Sequence, residues 1–286
     1  MVKFIHAADV HLGITYAGVG KNHKDIAREL KQAAFDVFER VVDVAIEEEV
    51  DALVLAGDLL DSSRTFVKEK LFLQSQLNRL APFGIPVVVA LGNHDAGTSY
   101  VSGKHIYTFG SAIETIEVET RNGERVAFSG FSYEVPVVAT RKVQEYPMKS
   151  ANCDIHIGVL HGELTTAQGR YAPFSIPELR EKGYDYWALG HIHTCQEVSS
   201  QPCAWYSGTT QGADRKESGP KGVLLVEITP GNAPEVHFIE TSTMDWTEVE
   251  LSISESARLE TLPYLIVEAL PSPAKRSLVT LHLQTQ

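Results

Sequence analysis

A chain of 286 residues, 43% hydrophobic and 22% charged, has the material for one large core with or without an appendage, as an ordinary soluble protein does. Its net charge of -12 argues against wrapping nucleic acid by bulk electrostatics, although cations held in an acidic cleft can still take phosphate locally. No apolar stretch reaches the length of a membrane span, no basic-then-apolar leader opens the chain, and Cys153, Cys195 and Cys203 show no metal-ligand spacing, so a cytoplasmic protein with reduced thiols is expected.

Strand and helix signals alternate from the start. Val2 to Ala8 reads as a strand, followed by a polar loop holding Gly13, Gly18 and Gly20. Asp25 to Glu49 reads as a long amphipathic helix, because Ile26, Leu30, Ala33, Val37, Val41, Val44 and Ala45 recur at helical spacing. Asp51 to Ala56 is a buried strand, and Phe66 to Leu80 a second helix whose Val67, Leu71 and Leu77 are expected in the core. Ile85 to Leu91 is a third strand, with Pro86 where a strand start tolerates it. This βαβαβ rhythm implies parallel strands with right-handed crossovers.

Ile113 to Glu119 and Arg125 to Phe131 flank Asn122-Gly123, a strong hairpin signal. Ile155 to Leu160, a short helix from Ile176 to Glu181, and Tyr184 to Leu189 restore the strand-helix-strand order. Short strands follow between Gln196 and Glu240, including Val223 to Ile228 and Val236 to Ile239. The expected architecture is α/β, with two mixed β-sheets each covered outside by helices. Past Ser242 the pattern restarts with a strand from Trp246 to Ile253, a helix from Glu255 to Leu270 and a strand from Leu278 to Leu283. Such a β-α-β fragment buries little core alone, so residues 1–242 are read as the main domain and 243–286 as the start of a small, truncated accessory or capping domain.

Five polar clusters punctuate these elements, and four of them end an apolar run. They are Asp9-Val-His11, Gly57-Asp58-Leu-Leu-Asp61, Gly92-Asn93-His94-Asp95, His161-Gly162 and Gly190-His191-Ile-His193. A packed core has no need of Asp, Asn and His at strand ends so often, whereas two divalent ions sharing one carboxylate need that set of oxygen and imidazole donors. In extended backbone Asp9 and His11 point the same way, as do His191 and His193. Donors at the carboxyl ends of strands converge on one crevice, where open α/β sheets place their sites.

The ordered set D-x-H, G-D-x-x-D, G-N-H-[DE], H and G-H-x-H resembles the calcineurin-like metallophosphoesterases, and all five elements are present between Asp9 and His193. The stretches FIHAADVHLG, GDLLDSS, ALGNHD, YWALGHIHTCQ and GTTQGADRKESGPKG further resemble SbcD-type double-strand-break-repair nucleases, most of all the YhaO-like DNA repair exonucleases. The resemblance implies a four-layer sandwich. It also implies one ion on Asp9, His11, Asp58 and His193, and a second on Asp58, Asn93, His161 and His191, with Asp58 bridging. Mixed oxygen and nitrogen donors suit Mn²⁺, Fe²⁺ or Zn²⁺ better than Mg²⁺, and manganese is the family's usual nuclease metal. His94 becomes a catalytic residue that is not a ligand, and Asp61 the acid that orients it. Archaeal and eukaryotic relatives often carry His at the Asp61 position.

The implied activity is a Mn-dependent phosphodiesterase or exonuclease on DNA ends. Its implied partners are an SbcC-like coiled-coil ATPase and, as a further arrangement, a second copy of the chain. A phosphatase or cyclic-nucleotide phosphodiesterase with the same dimetal core is the first alternative, and a metal-binding scaffold that docks a partner is the second. Asp95 reads as structural support for the Asn93-His94 turn. His6, His23, His105, His156, His237 and His282 read as surface or internally satisfied histidines. Arg64, Lys104, Arg141, Lys142, Arg215 and Lys216 lie in or near loops where they could contact DNA phosphate, although solvated surface is the commoner fate of such residues.

Overall fold

Strands buried on both faces are mostly apolar, as the first strands of this chain are. The computed structural model describes residues 1–14, 24–61, 67–98, 101–253, 258–270 and 276–285. Gly18, Gly20, His23, Arg64, Phe66 and Glu255 lie outside the described residues. Strands β1 (Val2–Ala7), β2 (Ala52–Ala56), β3 (Val87–Ala90) and β4 (Ile106–Thr108) run parallel in adjacent order, with helices α1 (Lys24–Glu47) and α2 (Val67–Asn78) between the first three.

The second sheet is built from β5 (Glu114–Glu119), β6 (Arg125–Gly130), β7 (Ile155–His161), β8 (Tyr186–Gly190), β9 (Gln196–Ser200) and β10 (Cys203–Tyr206), with helix α3 (Ile176–Lys182) between β7 and β8. Its strand order is β5-β6-β7-β8-β10-β9, parallel through the middle and antiparallel at both edges. Strands β11 (Gly222–Ile228) and β12 (Glu235–Glu240) then return to the first sheet and complete the order β12-β11-β1-β2-β3-β4, with β11 antiparallel to β1. Both sheets are therefore mixed, as expected.

Alternation along each strand separates the layers. Ala52, Val54 and Ala56 face Phe128, Ile157 and Tyr186 of the second sheet, while Leu53 and Leu55 face Phe38, Val41 and Val42 of α1. On the far side, Trp187 and Leu189 pack under Leu179, Phe174 and Tyr184. The helix α1 buries Leu30, Ala33, Val37, Val41, Val44 and Ala45 of the stripe expected from its sequence, while Ile26 is only half-buried. The helix α2 corrects the sequence reading: Leu77 is buried, but Val67 and Leu71 are 71% and 65% exposed. Its inner face is Glu69, Leu73 and Leu77, and a residue two places out of step points about 200° round the helix.

The last segment pairs β13 (Met244–Ile253) with β14 (Arg276–Thr285) in parallel, joined through helix α4 (Leu262–Ala269). Met244 and Trp246 at the start of β13 pack on Leu30 and Ala33 of α1, and Arg276 donates to Glu29 at 2.6 Å. All three cysteines are free thiols. Among the described residues no helix is long and apolar enough to cross a membrane.

Phe128 lies 1% exposed in the layer between the two sheets. Phe128→Ala should lower unfolding free energy by about 3–5 kcal/mol in a urea titration, the usual cost of emptying such a site.

Candidate active site

The polar clusters occupy the carboxyl ends of β1, β2, β3, β7 and β8, so the two sheets deliver them to one edge. The backbone reaches this arrangement through bent rather than extended residues. Asp9, His11, Asp58 and His191 have φ of 52°, 48°, 52° and 100°. The expected strand-like alternation of Asp9 with His11 and of His191 with His193 is thus replaced by left-handed turns. Such residues cost about 1–3 kcal/mol each and persist only where the surroundings fix them. Here the β1 and β2 loops fix each other: Asp9 N–H donates to the Gly57 carbonyl at 2.9 Å, and His11 N–H to the Asp58 carbonyl at 3.0 Å.

Two close approaches require glycine. A Cβ on Gly92 would lie 2.2 Å from Asp58 Oδ1, and one on Gly190 would lie 2.0 Å from the Ala56 carbonyl oxygen.

The side chains meet in two adjoining groups. His161 Nδ1 donates to the Ala56 carbonyl at 2.9 Å, which leaves Nε2 facing Asp58 Oδ2 at 3.2 Å and Asn93 Oδ1 at 3.1 Å. Three acceptor lone pairs then converge, and only a positive centre, a proton or a metal ion, reconciles them. The second group places His11 Nε2 at 3.2 Å from His193 Nε2, with Asp9 Oδ1 at 3.9 and 3.8 Å from them and Asp58 Oδ2 at 3.9 Å from His11. Donor atoms of Asp9, His11 and His193, and of Asp9, Asp58 and His161, lie within 4.8 Å of one another, so these residues could hold two divalent ions. Such a donor set fits the ions that the sequence reading implied.

Electrostatics follow from the same packing. Burial raises the Asp9 carboxyl. Burial works against ionisation of Asp58 too, yet His161, by charge and hydrogen bond, with His11 and His94, holds it well below the usual carboxylate range. Burial alone would depress His161, but Asp58, Asp9 and the Ala56 carbonyl together lift it to about 9. His11 and His191 are pushed down to about 4, chiefly by burial.

His94 stands at the rim. Its backbone N–H donates to Asp58 Oδ1 at 2.8 Å, its ring meets His11 edge to face at 4.9 Å, and its Nδ1 lies 3.6 Å from Asp61 Oδ1. Its side chain is 44% exposed, whereas that of Asp61 is 13% exposed. His94 also offers a donor atom within 4.8 Å of His11 and Asp58. The His191 ring lies against His161 at 5.4 Å and Tyr171 at 4.6 Å, outside those donor triplets, and its N–H donates to Asp9 Oδ2 at 3.0 Å.

Asp95 supports the turn as read: it accepts the N–H groups of Leu59 and Leu60 at 3.0 and 2.9 Å, and that of Gly92 at 3.0 Å. Glu217, which the sequence reading passed over, accepts the Nδ1–H of His193. Burial alone would raise its carboxyl, but His193 and the Ala213 N–H hold it below its ordinary value. Of the basic residues, Arg141 is paired with Glu178 and Lys142 with Glu145 at 2.8 Å, while Lys104, Arg215 and Lys216 are exposed.

Residues 2–195 match the calcineurin-like phosphoesterase family. The chain is 34% identical over 283 residues to the "Uncharacterized metallophosphoesterase YhaO" of Bacillus subtilis, covering 96% of this chain and 69% of that protein. It is 27% identical over 281 residues to the DNA double-strand break repair protein Mre11 of Methanopyrus kandleri, covering 89% of this chain and 59% of the relative. With Mre11 of Haloferax volcanii it is 30% identical over 266 residues, covering 89% and 56%. The chain thus spans little more than half the length of these Mre11 relatives.

Asp95→Ala would leave three buried N–H groups without an acceptor. Each such group costs about 1–3 kcal/mol, so urea unfolding should show a loss of about 3 kcal/mol or more, with a smaller loss for Asp95→Asn.

Proposed function

The chain belongs to the calcineurin-like phosphoesterase family, and we propose that within it the chain is a two-metal phosphodiesterase acting on DNA ends in double-strand-break repair. Membership implies hydrolysis of phosphoesters. The observation that carries the chemical reading is the convergence of Asp9, His11, Asp58, Asn93, His161 and His193 beside a half-exposed His94. Asp9, His11, Asp58 and His193 would hold one ion; Asp58, Asn93, His161 and His191 would hold the other. When bound, two divalent ions supply neutralisation of phosphate charge and a nucleophilic water at neutral pH. Manganese suits the mixed donors, as Fe²⁺ or Zn²⁺ would.

The chain's own residues supply the rest. Asp61 Oδ1, 3.6 Å from Nδ1 of His94, steadies the ring, and in its imidazolium form that ring would have an Nε2–H to donate to a phosphate oxygen and to the departing oxygen. The backbone N–H of His94 on Asp58 ties that ring to the shared carboxylate. A scaffold without catalysis has no use for this arrangement.

DNA as substrate is supported by relatives named for double-strand break repair and by the stretches from Trp187 to Gln196 and Tyr206 to Gly222. A net charge of -12 leaves few phosphates to be paired, so an SbcC-like ATPase would supply much of the grip. Asp61, where nuclease relatives often carry His, is the residue that favours the second reading, a phosphatase on the same core.

The test is hydrolysis by chelator-stripped protein, with and without Mn²⁺, of linear duplex DNA, single-stranded DNA, a chromogenic phosphodiester and a phosphomonoester. Cleavage of duplex ends should be low, Mn²⁺-dependent, salt-sensitive and raised by the ATPase partner. Robust phosphomonoester turnover with no DNA cleavage, even with that partner, would replace this reading by the phosphatase one. His94→Ala should keep both ions by elemental analysis and lose about 10²–10⁴-fold in turnover, with a milder defect in Asp61→Asn. An ion lost with His94 would make it a ligand instead.

A further inference from the structure

Segment 211–217 connects the last strands of the chain to a candidate ligand. Gln211 Nε2 donates to the Met244 carbonyl at 2.6 Å, and Trp246 Nε1 donates to the Gly212 carbonyl at 3.0 Å. One residue on, the Ala213 N–H donates to Glu217 Oε2 at 2.6 Å. The loop and its carboxylate are therefore held from both sides. The other oxygen of Glu217 accepts the Nδ1–H of His193. The Glu217 side chain is only 17% exposed, so water competes poorly for this contact.

A neutral imidazole offers a metal only the nitrogen that carries no proton. An acceptor at Nδ1 fixes the proton there. It leaves as the free lone pair Nε2, the atom 3.2 Å from His11 Nε2 and 3.8 Å from Asp9 Oδ1. Carboxylates in this position orient the ring and raise its basicity as a ligand. From this geometry we infer that Glu217 is a positioning residue for the ion on Asp9, His11, Asp58 and His193, acting through His193. The inference rests on the two-ion reading above. Its effect should fall on one ion, because its contact is with His193, which belongs to only one of the two proposed groups.

Isothermal titration of metal-stripped protein with MnCl₂, alongside thermal unfolding, tests this without any turnover assay. Wild-type protein should bind two ions. In Glu217→Ala, one ion should bind about 10–100-fold more weakly and the other within about threefold of wild type. Glu217→Gln is isosteric and keeps an accepting oxygen without the charge, so it should fall between the two. It also carries the test if the alanine variant fails to fold. Wild-type affinity for both ions in both variants would overturn the inference. Equal weakening of both ions with a fall in Tm would overturn it as well, because Glu217 would then only support the fold. Failure of the wild-type protein to bind two ions would instead remove the two-ion reading on which the inference stands.

Discussion

Several acceptor atoms are brought to one buried point, and the rest of the site is built around that conflict. Asp58 Oδ2 and Asn93 Oδ1 lie 3.2 and 3.1 Å from Nε2 of His161, with the His11 and His193 nitrogens 3.2 Å apart alongside. In a poorly polarisable interior such a cluster is unfavourable unless a positive centre joins it. The fold does not relax the conflict. It holds the donors there with turned backbone at Asp9, His11, Asp58 and His191, and the strain is sustained by loops that hydrogen-bond to one another. Buried Asp95 ties the β2 and β3 loops together through three N–H groups. Stability elsewhere in the molecule offsets this cost, and most of it resides in the three apolar layers on and between the sheets.

Much of this was legible in the sequence, for reasons that can be named. Strands β2 and β3 are uninterrupted apolar runs bounded by Gly57 and by Pro86, β1 is mostly apolar, and α1 carries a stripe of unbroken helical period. Asn122-Gly123 announces its hairpin, and β5 pairs with β6 around it. The order of the five polar clusters identified the crevice before any coordinates. Their local backbone was not legible, because a spacing of two suits a strand and a pair of left-handed turns equally well.

Other features were hidden because they depend on partners distant in sequence. The strand β9, Gln196–Ser200, is polar and mostly exposed; it exists because β10 pairs with it, not because its own pattern demands a strand. Val67 and Leu71 share a helix with buried Leu77 but lie on another face, and apolar character alone does not say which face a sheet will cover. Arg141 sits in a loop, like a phosphate contact, yet its guanidinium is engaged by Glu178, 37 residues on. Glu217 is one acid in a polar loop, and no spacing rule links it to His193, 24 residues away.

The sign of the charge bears on how an acidic chain could serve the proposed polyanionic substrate. Asp9, Asp58, Asp61 and Glu217 crowd carboxylates around the imidazoles of the crevice, so the side chains alone make a poor phosphate site. Cations bound there invert the local field, because they are the largest charges present. The surrounding surface adds little attraction: Arg141, Lys142 and Lys149 are paired with Glu178, Glu145 and Asp185. Exposed Arg215 and Lys216 are different, since they directly precede Glu217 on the loop that contacts His193. Under the two-ion reading the residue that orients a metal ligand and two exposed basic side chains belong to one short segment. On that reading attraction for phosphate is concentrated where the ions sit, and in the proposed DNA-end activity the grip along the backbone falls to a partner.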